Sequence, residues 1–170
     1  ALARKRAIEL LEGDVPNEKL ILSQGLSDSY KVKGESVSVL SEYITDINQA
    51  HVQVVRKMRE RQPGSEPQSG DRVPYILVKT DDPKARAFEK SEDPVYAKEH
   101  NLPIDYPYYF LNKFLNPVCD LLEPLFENVK DDIFGELLLR AKPPKKKGKK
   151  LDKPDSNQML LSDIFKKKTT

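Results

Sequence analysis

Gly70-Asp71-Arg72-Val73-Pro74-Tyr75-Ile76-Leu77-Val78-Lys79 is the segment of this chain that reads without argument as a β-strand. Gly70-Asp71 is turn chemistry, and from Val73 to Val78 β-branched, aromatic and aliphatic residues dominate. An apolar run of this kind needs cover on both faces. Pro74 carries no backbone donor, so it requires an edge or an interruption of the ladder. The expectation is a strand that is central in packing but incompletely paired, covered by helices from both sides of it in sequence, with no second strand of comparable strength.

Working outward toward the N-terminus, residues 49–61 predict a helix. On a 3.6-residue wheel His51, Val54, Val55 and Met58 gather on one side while Gln53, Arg56 and Lys57 face away. Gln62-Pro63-Gly64 ends it, and a Pro/Gly/Ser/Gln loop leads to the strand. Leu20-Ile21-Leu22 is a short apolar run that predicts a minor strand turned by Gln24-Gly25. Before it, residues 1–12 are rich in helix formers, with Leu2, Ile8 and Leu11 as a loose apolar stripe and Gly13 as the stop.

On the C-terminal side Asp81-Asp82-Pro83 reads as a turn and Asp93-Pro94 as a helix start. Asp105 caps the main helix, whose Tyr108, Leu111, Leu115, Val118, Leu122 and Leu125 recur at steps of three and four. Pro117 lies inside it and predicts a kink or break. A last short apolar element spans Ile133 to Leu139. The fold class expected is α+β, mostly α-helical, with one small sheet, over residues 1–139.

Composition then divides the chain. Its 170 residues suffice for one domain with a core, yet 13 prolines and 33% charged residues argue that part lies outside that core. From Lys142 onward ten lysines face Asp152, Asp155 and Asp163, a balance of +7; the net +2 of the whole chain less that tail leaves −5 for residues 1–141. A Lys/Pro/Gly/Asp segment cannot offset its own ordering entropy, so residues 140–157 are expected to be a disordered basic linker. Apolar residues return at Met159, Leu160, Leu161, Ile164 and Phe165, an island that needs a partner.

Several function classes find no support in these residues. No Gly-x-Gly-x-x-Gly, P-loop or Gly-x-Ser-x-Gly is present. Cys119 is the only cysteine, which rules out an intrachain disulfide and a cysteine-based zinc site. His51 and His100 lack ligand spacing, and Asp81-Asp82 and Asp131-Asp132 read as turn and helix-start residues, so neither a metal nor a catalytic residue is assigned. The longest apolar runs are far too short to cross a bilayer, and no membrane partner is expected. The N-terminus lacks the apolar region of a signal peptide, and a start at Ala1 is compatible with a segment of something longer.

The basic residues Arg56, Lys57, Arg59, Arg61 and Arg72 would lie together if the intervening loop is short, and clustered cations are what phosphate binding needs. The bland alternative is a solvated helix face.

Five blocks carry a resemblance to the thumb region of B-family DNA polymerases of the delta type. In order they are Gly13-Asp14-Val15-Pro16 with Glu18-Lys19-Leu20 and Leu26-Ser27-Asp28-Ser29-Tyr30; Ala50-His51-Val52-Gln53-Val54-Val55-Arg56-Lys57-Met58; Gly70 to Ile76; Ala87 to Tyr96; and Leu102-Pro103-Ile104-Asp105-Tyr106 through Tyr108-Tyr109. The resemblance implies a mostly helical thumb that holds newly made duplex DNA through its backbone; by local clustering of charge, Arg56, Lys57 and Arg72 are the expected phosphate contacts and Lys79 a weaker one. It implies Mg2+ in the parent polymerase and none in this segment, because the family's catalytic carboxylates belong to palm motifs absent here. Palm and other domains of the parent are then partners. The missing cysteine-rich modules point to a form without them, such as those of large DNA viruses; the expected location is the nucleus or a viral replication site in the cytoplasm.

Gln158-x-x-Leu161-x-x-Ile164-Phe165 resembles the sliding-clamp-binding peptide, so residues 158–170 are read as a clamp tether. A single helical turn gathers the aliphatic and the last two side chains as a plug, while Gln158 takes a polar site. Ile164 in place of an aromatic weakens that plug. Lys145, Lys146, Lys147, Lys149 and Lys150 suit an import signal or a nonspecific DNA contact. The alternative class is a stand-alone adaptor that binds a partner through the same peptide, which the reading frame upstream of Ala1 would distinguish.

Overall fold

The computed structural model describes residues 2–82, 84–125 and 128–141. Pro83 of the expected turn, the basic linker beyond Ala141 and the peptide Gln158 to Phe165 lie outside the described residues.

The strand read from sequence is present as Arg72–Leu77, the centre of a three-stranded antiparallel sheet. In chain order the strands are β1 (Leu22–Gly25), β2 (Ser29–Val32), β3 (Glu35–Ser38), β4 (Arg72–Leu77) and β5 (Ser91–Glu92). The main sheet has the order β1-β4-β5, and β2-β3 is a separate hairpin. β4 changes partners along its length. Arg72 to Tyr75 pair with β1, and Ile76 and Leu77 pair with β5. Beyond them Val78 N–H donates to Lys90 O, and Lys79 N–H to Pro103 O. Pro74 therefore sits opposite Ser23 where β5 has not yet begun, which accommodates its missing donor.

Side chains complete the strand's surroundings. Leu77 N–H donates to the Tyr109 hydroxyl at 2.9 Å, and burial pushes that phenol up to about 12 despite this bond. Val73, Ile76 and Leu77 are almost solvent-free, each contributing about 1.5–3 kcal/mol of burial.

Seven α-helices surround the sheets among the described residues: α1 (Leu2–Glu12), α2 (Ala50–Arg61), α3 (Ala87–Lys90), α4 (Pro94–Glu99), α5 (Tyr106–Tyr109), α6 (Leu115–Leu122) and α7 (Val129–Ala141). α2 and α4 both pack against β4. Gly13 closes α1 with φ +82°, and Asp14 N–H reaches back to Glu9 O. Asp93 caps α4 through Tyr96 N–H, and Asp105 caps α5 through Tyr108 N–H, both at 3.0 Å.

Four expectations need correction. The minor strand is displaced: Leu20 ends a 3-10 turn (Asn17–Leu20), and Gln24-Gly25 belong to β1 rather than turning it. The β2-β3 hairpin was not expected, although Lys33-Gly34, with φ of 50° and 94°, is a two-residue turn whose twist matches its strands. Gln53 does not face away. It is buried, and its amide donates to Ile44 O at 2.9 Å and Ile47 O at 2.7 Å. The start of α2 is thus enclosed all round, with residues 51–55 buried in succession, because a 3-10 turn (Glu42–Asp46) covers the side the wheel assigns to solvent.

The fourth concerns the main helix. Residues Phe110–Phe114 form a π-helical segment between α5 and α6, with Leu115 N–H bonded to Phe110 O. The wide turn lies just before Pro117, whose ring would otherwise crowd the Lys113 carbonyl, so the helix swells instead of breaking. A π turn also shifts the buried face. Tyr109, Phe110, Leu115 and Cys119 are buried, Tyr108, Leu111, Val118 and Leu122 are half-buried, and Leu125 is 73% exposed. α7 then seats Phe134 edge-on against Phe110 and Phe114.

Candidate nucleic-acid interface

Helix α2 concentrates four cations, and each is already engaged. Arg56 bonds Glu60 at 2.6 Å and Gln53 at 2.8 Å. Arg59 bonds Glu66 and the Val39 carbonyl, both at 3.0 Å. Lys57 Nζ donates to Ser91 O at 2.6 Å and stands 3.5 Å from Glu92. Arg61 grips Glu92 with two bonds of 2.9 and 2.8 Å, its guanidinium stacked 3.4 Å over the Tyr96 ring.

These cations tie α2 to β5, to the end of the hairpin and to the loop before β4. Burial pushes the Glu92 carboxyl up, but the Arg61 bonds, the Asp93 N–H and the charges of Lys57 and Arg61 outweigh it, leaving Glu92 below its ordinary 4.5. Burial pulls Lys57 below its ordinary 10.5, with Glu92 opposing and Arg61 and Arg56 adding. Arg56 and Lys57 could therefore reach a phosphate only by releasing acidic or carbonyl partners.

Arg72 is different. Its guanidinium is exposed, with only neutral partners among the described residues: Ser23 Oγ at 2.9 Å and the Ser23 carbonyl at 3.1 Å. Ser23 pairs with Pro74, and Gly25 with Arg72. Residues opposite each other in an antiparallel pair share a face, so Arg72, Pro74, Ser23 and Gly25 form one outer face of the β1-β4 ribbon. All four are exposed, and the space above Gly25 is open. The result is a cation held over a low floor of small side chains, which lets a bulky polyanion approach the backbone closely.

Lys79 is also exposed. It lies two residues beyond the end of β4, whereas Arg72 begins that strand. The four cations read from sequence thus do not converge: Arg56 and Lys57 lie in the α2 staples, Arg72 on the ribbon, and Lys79 past the C-terminal end of β4. Ser23 and Gly25 were missed, since Leu22–Gly25 has little strand propensity and only its pairing with β4 reveals their position. Gln158, Leu161, Ile164, Phe165 and Lys145, Lys146, Lys147, Lys149 and Lys150 lie outside the described residues.

Among the described residues no group of three or more His, Cys, Asp or Glu side chains is arranged to hold a metal ion. No helix among them is long and apolar enough to cross a membrane.

The family model for DNA polymerase family B matches residues 2–125. Among curated proteins, the DNA polymerase delta catalytic subunit of Glycine max is 32% identical over 131 residues, covering 73% of this chain and 12% of the relative. The Candida albicans subunit of that name is 35% identical over 126 residues, 71% of this chain and 12% of the relative. The Bos taurus subunit is 46% identical over 77 residues, 45% of this chain and 7% of the relative. The chain spans about an eighth of the length of the longer matches.

Proposed function

The chain belongs to DNA polymerase family B, and from that premise we propose that its folded body is a thumb-like segment of a replicative polymerase that holds newly made duplex by its phosphates. The observation that carries this reading is where the family match lies. Residues 2–125 include α1 through α6 and both sheets, so the likeness covers the packed body and not one short motif. The blocks named from sequence coincide with its joints: Ala50 to Met58 lies within α2, Gly70 to Ile76 enters β4, and Ala87 to Tyr96 runs from α3 through β5 into α4.

The surface suited to the task is the outer face of the β1-β4 ribbon. Arg72 supplies the charge, Ser23 the hydroxyl, and Gly25 the clearance. Phosphate contacts position a duplex without reading its sequence, which suits a segment that must hold whatever has just been made. Lys79, and Arg56 and Lys57 by exchanging carboxylate for phosphate, add weaker contacts.

No step of nucleotide addition falls to these residues. On this reading the carboxylates that would hold Mg2+ for the parent enzyme belong to its palm.

The basic linker and terminal peptide complete the proposal. Lys142 to Asn157 is 16 residues, and a flexible linker of that length would reach about 20–24 Å. That length lets a sliding clamp bound at Gln158, Leu161, Ile164 and Phe165 ride behind the duplex-holding body at high effective concentration. The relatives named above are cellular, which favours the nucleus as the place of action.

The test is fluorescence anisotropy of the full chain with labelled duplexes of two unrelated sequences. Equal affinities that fall with added salt are expected. Absence of duplex binding, or a preference for one sequence, would overturn the reading. For the tether, calorimetry of a peptide of residues 153–170 with a sliding clamp should show binding that Phe165→Ala abolishes.

A further inference from the structure

The β2-β3 hairpin is a sheet of its own and borrows its attachment from side chains. Tyr30, Val32 and Val37 pack half-buried on the core, and Arg59 holds the Val39 carbonyl where the chain leaves β3. The one side-chain hydrogen bond that joins β2 itself to the core runs from Tyr30 to His51 on α2, 2.7 Å between Oη and Nε2, among the described residues. The rings meet edge to face with centroids 5.5 Å apart.

The protons around this contact can be placed. Ser27 N–H donates to the Tyr30 oxygen at 2.9 Å, which leaves the phenolic hydrogen to donate to Nε2. His51 is then neutral with its proton on Nδ1, and Nδ1 is buried with no partner among the described residues. We propose that the Tyr30–His51 contact is an acid-sensitive latch that fastens the β2-β3 hairpin to α2 and lets it go when His51 takes up a second proton. Protonation places a hydrogen on Nε2 facing the phenolic hydrogen. The phenol must then turn, accept from both Ser27 and His51, and leave its own hydrogen unbonded, while a cation is buried without a counter-charge.

The groups on the elements packed around α2 do not compensate. Lys57 and Arg61 are closed on Glu92, and Lys90 on Asp105. Glu42, Tyr43 and Asp46 of the 3-10 turn are exposed, as are Glu89 of α3 and Arg72 of β4, and the Tyr75 hydroxyl is directed to Gln24. Burial holds His51 below its ordinary 6.5. The released state takes up its proton near 6.5 while the latched state does so only at lower pH, so the latch is fully effective above 6.5 and weakens as pH falls below it.

Hydrogen exchange on the full chain tests this, read as protection corrected for the intrinsic rate at each pH. Between pH 7.5 and pH 5.5, amides of residues 30–38 should lose protection several-fold while those of Tyr75 to Leu77 keep theirs. In Tyr30→Phe the hairpin should already be less protected at the higher pH and should change less on acidification. A magnetic resonance titration of the His51 ring gives an independent reading, with a midpoint below 6.5 expected. Hairpin protection that does not change with pH, or falls only together with that of β4, would overturn the latch, as would a His51 midpoint at or above 6.5.

Discussion

Lys90 Nζ stands 2.6 Å from Asp105 Oδ2, and both side chains are about nine-tenths buried. The pair joins the end of α3 to the residue that caps α5, so two elements that both follow β4 are fastened to each other through a charge contact. Breaking it from one side leaves a buried carboxylate alone. Lys90→Met should cost about 3–5 kcal/mol of stability. The double change Lys90→Met with Asp105→Asn should recover part of this, because Asn still caps the helix. Urea denaturation of the three proteins measures both values.

Gly13 faces Tyr106. Its φ of +82° is costly for a residue with a Cβ, and an added Cβ would meet the Tyr106 ring at 3.2 Å. Gly13→Ala should destabilise by about 1–2 kcal/mol from the backbone alone, with the ring contact adding to it. Thermal unfolding should show a lower Tm. Gly25→Ala, in open space and without a positive φ, should leave Tm nearly unchanged.

Glu92 sets an acid limit on the body of the fold. Its folded carboxyl titrates below the ordinary 4.5, so its contribution is present above 4.5 and is lost as pH falls through the folded value. Stability measured from pH 6 to pH 3 should therefore drop less steeply in Glu92→Gln than in the unaltered chain. The variant should be less stable at pH 6, since Arg61 and Lys57 lose their counter-charge.

How far the fold was legible follows from which forces were local. Arg72–Leu77, the caps at Asp93 and Asp105 and the stop at Gly13 all rest on chemistry within a few residues, and they stand where the sequence places them. Gln53 was misread because its partners, Ile44 and Ile47, belong to a turn with no strong pattern of its own. The helical period that would place Leu125 in the core stops with α6 at Leu122, and Pro124 follows, so Leu125 lies past the helix and is exposed. Lys33-Gly34 was a readable signal that went unused. For the interface, residue type pointed to cations, but only the structure shows that those of α2 have acidic partners while Arg72 rests on Ser23.

That difference separates two kinds of variant. Lys57→Ala should lower stability measurably, because Nζ supports Ser91 O and Glu92 across the α2–β5 contact. Arg72→Ala, at an exposed position, should change stability by no more than about 0.5 kcal/mol. Denaturation midpoints of the two variants distinguish a structural cation from one free for a ligand.

The most direct test of duplex holding is the dependence of duplex affinity on salt, compared between the full chain and Arg72→Ala. A phosphate contact releases counterions, so the slope of log affinity against log salt should be shallower in the variant by about 0.9. Affinity should fall alike for unrelated duplex sequences while the fold stays intact by circular dichroism. An unchanged slope in a folded Arg72→Ala protein would contradict the assignment of the β1-β4 ribbon as the surface that holds DNA.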